Sequence, residues 1–153
     1  MSQSSLFIDI GNSAVKWRAC DSEVFTEGVD LFSLELLPKA DSVWVSAVAH
    51  LNIVQAIKTQ FSNVKLVEPL KQYRKLTLSY DDPSKLGVDR FLAMLAALER
   101  FPNQPLLVID AGSAVTFDVI DAKGMHQGGL IMPGIRALRE SFAKFSTNDL
   151  SIN

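Results

Sequence analysis

The rhythm of hydrophobic positions changes several times along this chain, and each change marks an element. Residues 5–10, 14–20 and 23–28 are short apolar or alternating runs, which predict three consecutive strands, the first two joined at Gly11-Asn12. A short helix is expected over 31–37, stopped by Pro38 because proline disfavours helix in the residue before it. Residues 43–48 form a fourth apolar run. Leu51, Val54, Ile57, Lys58 and Phe61 then follow helical spacing, so 51–61 is read as an amphipathic helix, with a fifth strand at 64–67. Strand–strand–strand–helix–strand–helix–strand is the order of a mixed sheet with helices on its faces.

Beyond this block, residues 76–80 suit a short extended piece, and 81–87 are a polar, turn-rich loop. The Ala- and Leu-rich run from Val88 to Arg100 predicts a helix that ends before Pro102. Asn103-Gln104-Pro105 marks a boundary between a first lobe, 1–104, and a second, 105–153. The second lobe opens with strands 106–110, 114–121 and 125–132, turning at Ala122-Lys123-Gly124, and a helix is expected over 135–145.

The two lobes begin alike. Leu6-Phe7-Ile8-Asp9-Ile10-Gly11-Asn12-Ser13-Ala14-Val15-Lys16 matches Leu107-Val108-Ile109-Asp110-Ala111-Gly112-Ser113-Ala114-Val115-Thr116 without a gap. In both, an apolar strand delivers a carboxylate near its end, and a glycine turn follows with a small polar side chain. Such a turn accepts phosphate closely, because glycine has no Cβ and the backbone amides can point outward. One Asp-x-Gly turn alone is an ordinary hairpin. Its repetition points to a duplicated lobe whose two turns grip one polyphosphate while the aspartates hold its cations.

Composition narrows the classes. The 153 residues are 48% hydrophobic with a net charge of −2, as expected for a packed core. Lys65, Lys71, Arg74 and Lys75 form the richest basic cluster, a solvated face that does not argue for nucleic acid. No apolar run approaches the ~20 residues that cross a membrane. The start has no signal-peptide pattern, and the lone Cys20, expected in a strand as a buried inert thiol, allows no internal disulfide. Cytoplasm is the compartment these features favour. The 49 residues after Gln104 are too few to bury a core alone, so the second lobe is expected to lean on the first and on a partner, or to belong to something longer.

A second constellation is Gly87-Val88-Asp89-Arg90, a carboxylate and a guanidinium at the mouth of a helix. A helix N-terminus attracts anions, and arginine offers a planar fork to a carboxylate. Asp89 is placed to accept a proton from a hydroxyl. The alternative is that Asp89 only caps the first turn and Arg90 pairs with it or with solvent. His50 and His126 lack partners at ligand spacing, so zinc is not expected, and His126 is read as a satisfied structural histidine. Trp17 and Trp44 are read as core or half-core. The helix from Val88 carries Phe91, Leu92, Leu95 and Leu98 with three alanines, which predicts an exposed apolar face and a symmetric dimer through it.

Asp9-Ile10-Gly11-Asn12-Ser13, Tyr80-Asp81-Asp82-Pro83 running into Leu86-Gly87-Val88-Asp89-Arg90, and Ile109-Asp110-Ala111-Gly112-Ser113 through Thr116-Phe117-Asp118 closely resemble, in order and spacing, the motifs of the type III pantothenate kinases. Gly128-Gly129-Leu130-Ile131-Met132-Pro133-Gly134-Ile135 continues the likeness, which runs from about residue 5 to 140. The resemblance implies an α/β fold of duplicated ribonuclease H-like mixed-sheet lobes, as in the actin-like ATPase superfamily, with the second lobe truncated. It implies ATP-dependent phosphorylation of pantothenate to 4'-phosphopantothenate, which opens coenzyme A synthesis, with Mg²⁺, K⁺ or NH₄⁺, and a homodimer.

Carried over by position, Asp9, Gly11, Asn12, Ser13 and Lys16 match the first phosphate segment, with Asp9 near Mg²⁺. Gly112, Ser113 and Thr116 match the second, to which Asp118 also belongs. Asp110 matches the ligand of the monovalent cation. Tyr80, Gly87, Val88, Asp89 and Arg90 match the pantothenate site, with Asp89 the general base. The family continues with an adenosine-binding motif not located in these 153 residues, so turnover by this chain alone is not expected. The competing reading is a non-catalytic regulatory or assembly relative; another small-molecule kinase is disfavoured by the segment from Tyr80 to Arg90.

Overall fold

The computed structural model describes residues 4–20 and 22–143. Two compact units make up the chain, one from residues 1–70 and 82–92, the other from 71–81 and 93–153. This division differs from a single cut at 104/105. The helix α2 (Val88–Arg100) is shared between the units, and residues 71–81 join the second.

The first unit is a five-stranded sheet in the order β3-β2-β1-β4-β5. Strands β1 (Ser5–Ile10), β2 (Ala14–Ala19) and β3 (Phe25–Gly28) form an antiparallel meander. β4 (Ser42–Ala47) pairs parallel to β1, and β5 (Val64–Leu66) parallel to β4. A parallel step needs a crossover, and α1 (Leu51–Gln60) supplies it between β4 and β5. Alternation decides the faces. Leu6, Ile8 and Ile10 of β1, Val15 and Trp17 of β2 and Val43 and Val45 of β4 turn to one side, where they bury with Val54 and Ile57 of α1 and with Leu37. Trp17 stacks on Phe25 and meets Phe32 edge-on. Ser5, Phe7 and Asp9 take the opposite face.

In the second unit, β8 (Leu106–Ala111), β9 (Ala114–Ile120) and β10 (His126–Pro133) form an antiparallel sheet in the order β10-β9-β8, followed by α3 (Ile135–Ala143). A two-stranded ribbon, β6 (Gln72–Tyr73) with β7 (Leu76–Thr77), is tied to it by a bridge from Thr77 to Met125. The three-stranded opening is therefore present in both units.

Several expectations are corrected. The helix expected over 31–37 is only a 3-10 turn, Leu34–Leu36, capped by Ser33; Leu31 and Leu36 are exposed, while Phe32, Leu34 and Leu37 pack against the sheet core. The extended piece at 76–80 is a strand only at Leu76–Thr77. Cys20 is exposed just beyond β2. Trp44 faces away from the core and is partly exposed beneath Lys65 Nζ, 4.5 Å from its ring centroid. Of the stripe expected on α2, Phe91 and Leu98 are buried and Leu92 and Leu95 half-buried, so this helix does not present the bare apolar face. The end of the helix expected over 135–145 lies outside the described residues.

Candidate functional site

In the first unit the carboxyl ends of β1 and β4 lie side by side, the place where open α/β sheets put their ligands. Asp9 pairs in register with Ser46 of β4 and Lys16 of β2. Ser46 Oγ donates to Asp9 Oδ1 at 3.0 Å, fixing one carboxylate oxygen. The turn beyond is closed by the Gly11 N–H on the Ala14 carbonyl at 3.0 Å, leaving Asn12 and Ser13 as its exposed tip. His50, in the left-handed region at the start of α1, reaches back so that its Nε2 meets the Asn12 carbonyl at 3.1 Å.

The Gly87–Arg90 segment belongs to this same end of the sheet. A Cβ at position 87 would lie 4.0 Å from Val48 Cγ1, and the Val48 N–H donates to the Ile10 carbonyl at 3.1 Å. Val48 is therefore the link between the strand end of Asp9 and the mouth of α2. Asp89 is half-buried in the first turn of α2, and its Oδ1 accepts from the Arg90 N–H at 2.8 Å. A Cβ on residue 87 would fall 2.5 Å from that same oxygen, so only glycine leaves Asp89 in this rotamer. Arg90 is buried. Just upstream, Asp82 caps the 3-10 turn Pro83–Lys85. Hydrogen bonds from the Ser84 hydroxyl and N–H hold its carboxyl below the usual aspartate range.

In the second unit, Asp110 is exposed near the end of β8 and pairs with Thr116. The turn after it is closed by the Gly112 N–H on the Ala114 carbonyl at 2.8 Å. Only Ser113 separates the closing residues here, against Asn12 and Ser13 in the first turn. The ungapped match therefore fails by one residue: the turns differ in length, and Ala114-Val115 is the structural counterpart of Ala14-Val15. Gly134 rests against this turn; its N–H donates to the Ser113 carbonyl at 3.1 Å, and a Cβ there would strike the Gly112 and Ser113 carbonyl oxygens. Asp118 lies on β9. It is buried, with Oδ1 on His126 Nε2 at 2.9 Å, and His126 is thus the satisfied histidine the sequence suggested. Tyr80, in this unit, stacks on His126.

The basic cluster is individually partnered. Arg74 pairs with Glu99, Lys71 Nζ donates to the Tyr80 carbonyl at 2.8 Å, and Lys75 Nζ to Asn103 Oδ1 at 3.2 Å. Among the described residues no group of three His, Cys, Asp or Glu is placed to hold a metal, and no helix is long and apolar enough to cross a membrane. Sequence reasoning missed Ser46, the contact of His50 with Asn12 and the pairing of His126 with Asp118; only Ser46 had a signal, being register-opposite Asp9 once β4 is placed parallel to β1.

Residues 5–151 match the family model described as type III pantothenate kinase. Proteins named type III pantothenate kinase are similar over nearly the whole chain: that of Alcanivorax borkumensis is 32% identical over 96% of this chain and 65% of its own length. That of Teredinibacter turnerae is 34% identical over 96% and 64%, and that of Hahella chejuensis 37% over 84% and 58%. The chain thus spans less than two thirds of the length of these curated relatives. Among solved structures, the type II variant of the Aquifex aeolicus Ppx/GppA phosphatase matches with a TM-score of 0.49 and 13% identity, over 92% of this chain and 56% of that one.

Proposed function

Because the chain belongs to the type III pantothenate kinase family, we infer that it carries the acceptor and phosphate segments of an enzyme transferring the γ-phosphoryl group of ATP to the primary hydroxyl of pantothenate. The observation that carries this reading is the meeting of the Asp89 helix mouth, through Val48, with the strand end that bears Asp9 and the Gly11 turn. Phosphoryl transfer asks for positioning and charge neutralisation more than covalent chemistry, and these elements supply both.

In this reading Asp89 orients the hydroxyl and takes its proton, and its position on the first turn of α2 keeps the carboxylate at the positive end of the helix dipole. Arg90 and Tyr80 hold pantothenate, with Gly87 and Val88 shaping the approach. Gly11, Asn12, Ser13 and Lys16 face the phosphates from one turn, and Gly112, Ser113 and Thr116 from the other. Asp9 holds Mg²⁺ and Asp110 holds K⁺ or NH₄⁺; when bound, these ions neutralise phosphate charge. The same reading carries the family's homodimer and a cytoplasmic location.

The test is pantothenate titration joined to an ATP-dependent phosphorylation assay. Saturable pantothenate binding is expected in the wild type and in Asp89→Asn. Wherever turnover is measured, Asp89→Asn lowers the rate by ~10²–10⁴, the usual share of general acid–base catalysis. No binding by the wild-type chain overturns the reading; loss of binding in Asp89→Asn makes Asp89 a binding residue.

A further inference from the structure

The second unit contains a buried polar chain built on Asp118 and His126. Asp118 on β9 and His126 at the start of β10 are each 1% exposed. A carboxylate oxygen accepts, so the His126 Nε2–H donates to Asp118 Oδ1, at 2.9 Å. The opposite ring nitrogen, Nδ1, lies 3.2 Å from Ser79 Oγ. Both edges of the imidazole are thereby fixed, and its face lies against Tyr80, with ring centroids 5.8 Å apart and planes 19° from parallel.

The backbone is arranged to make this contact. The register of β10 on β9 slips between His126 and Gly128, so that His126, not Gln127, stands opposite Ile120. Without that bulge His126 would turn to the other face of the sheet; with it, the ring joins Asp118 and Ile120 on the buried face. Residues 78–80 lie outside any strand, yet each is tethered within the unit. The Leu78 N–H donates to the Lys71 carbonyl at 2.9 Å, Ser79 meets His126, and the Tyr80 carbonyl accepts from Lys71 Nζ. A buried carboxylate–imidazole pair is a poor source of stability, since desolvation offsets much of its attraction. What it does well is fix the plane of a ring.

We propose that His126 is a positioning residue: clamped edge-on by Asp118 and Ser79, it sets the orientation of the Tyr80 ring for the substrate. The part played by the substrate rests on the pantothenate reading above; the control of Tyr80 by the clamp does not.

The experiment uses the full chain labelled with 3-fluorotyrosine, whose two tyrosine signals are assigned through Tyr73→Phe. The Tyr80 fluorine signal is expected to move to the position of a freely rotating tyrosine in His126→Leu and in Asp118→Leu. Asp118→Asn keeps an acceptor for the Nε2–H and leaves the signal in place. Ser79→Ala, at an exposed position, shifts it without endangering the fold. An unmoved Tyr80 signal in Asp118→Leu and Ser79→Ala, both still folded, overturns the proposal. Pantothenate titration then reads the consequence. His126→Leu should weaken binding about two- to tenfold, the range an offset aromatic pair is worth. In a Tyr80→Ala background the same change should have no further effect; a full additive loss there overturns the proposal. If the wild type takes up no pantothenate, the functional reading falls, and the fluorine signal alone decides whether His126 governs Tyr80.

Discussion

The β1–β2–β3 and β8–β9–β10 meanders have the same order and the same antiparallel pairing, yet opposite fates for their apolar faces. Leu6 and Ile8 of β1 are 0% and 3% exposed; their counterparts in β8, Leu107 and Ile109, are 59% and 54% exposed. On β10 the side chains of Leu130 and Met132, which share that face through Phe117 and Val115, are also exposed. The sequences are equally apolar, so the difference lies in what covers them. In the first unit β4, α1 and β5 extend and cover the sheet; in the second, no described strand pairs with the outer edge of β8. Strand pattern thus specifies the meander, while burial of its face depends on a second layer.

The largest effect that sharpens this comparison is on stability. Leu6→Ala should cost about 2–5 kcal/mol, the range for a buried leucine, while Leu107→Ala should stay within about 0.5 kcal/mol, as for surface positions. Urea unfolding of the two variants checks this, and equal losses would mean that the β8 face is packed in solution. A smaller effect concerns the second turn. Gly134→Ala forces a methyl onto the Gly112 and Ser113 carbonyls and should cost about 1–3 kcal/mol, as overpacking does. Amide spectra should show Gly112 and Ser113 displaced while Gly11 and Asn12 stay in place.

The smallest effect lies outside both hairpins. Asp82 has its carboxyl held low by Ser84, so its contribution is fully present above the ordinary aspartate range. It is lost as pH falls through the lowered folded-state value, because the unfolded chain then takes up the proton first. An acid titration should therefore unravel the Pro83–Lys85 turn only below the ordinary range, and Asp82→Asn should remove that dependence without moving either glycine turn.

Most strands were legible because β1, β2, β4 and β9 are short apolar or alternating runs bounded by turn residues. The segment 31–37 was not, since apolar residues before a proline suggested a helix, whereas Phe32, Leu34 and Leu37 reach the core from a 3-10 turn and its flanks. The one-residue difference between the turns was hidden by aligning glycines; the Ala-Val pair after each turn carries the true register. The glycine turns, Asp9, Asp110 and Asp89 stand in contiguous motifs and could be read directly. Ser46 on Asp9 and His126 on Asp118 arise from strand pairing across the sheet, and in His126 from a bulge that no local pattern announces.

The central claim is the phosphate role proposed for both the Gly11 turn and the Gly112 turn. Titrating the isotopically labelled chain with Mg²⁺ and a non-hydrolysable ATP analogue, and following the backbone amides of Gly11, Asn12 and Ser13 together with those of Gly112 and Ser113, tests it most directly. The account predicts that both sets shift along one common binding curve. Shifts confined to one turn, or two curves of different midpoint, would contradict it.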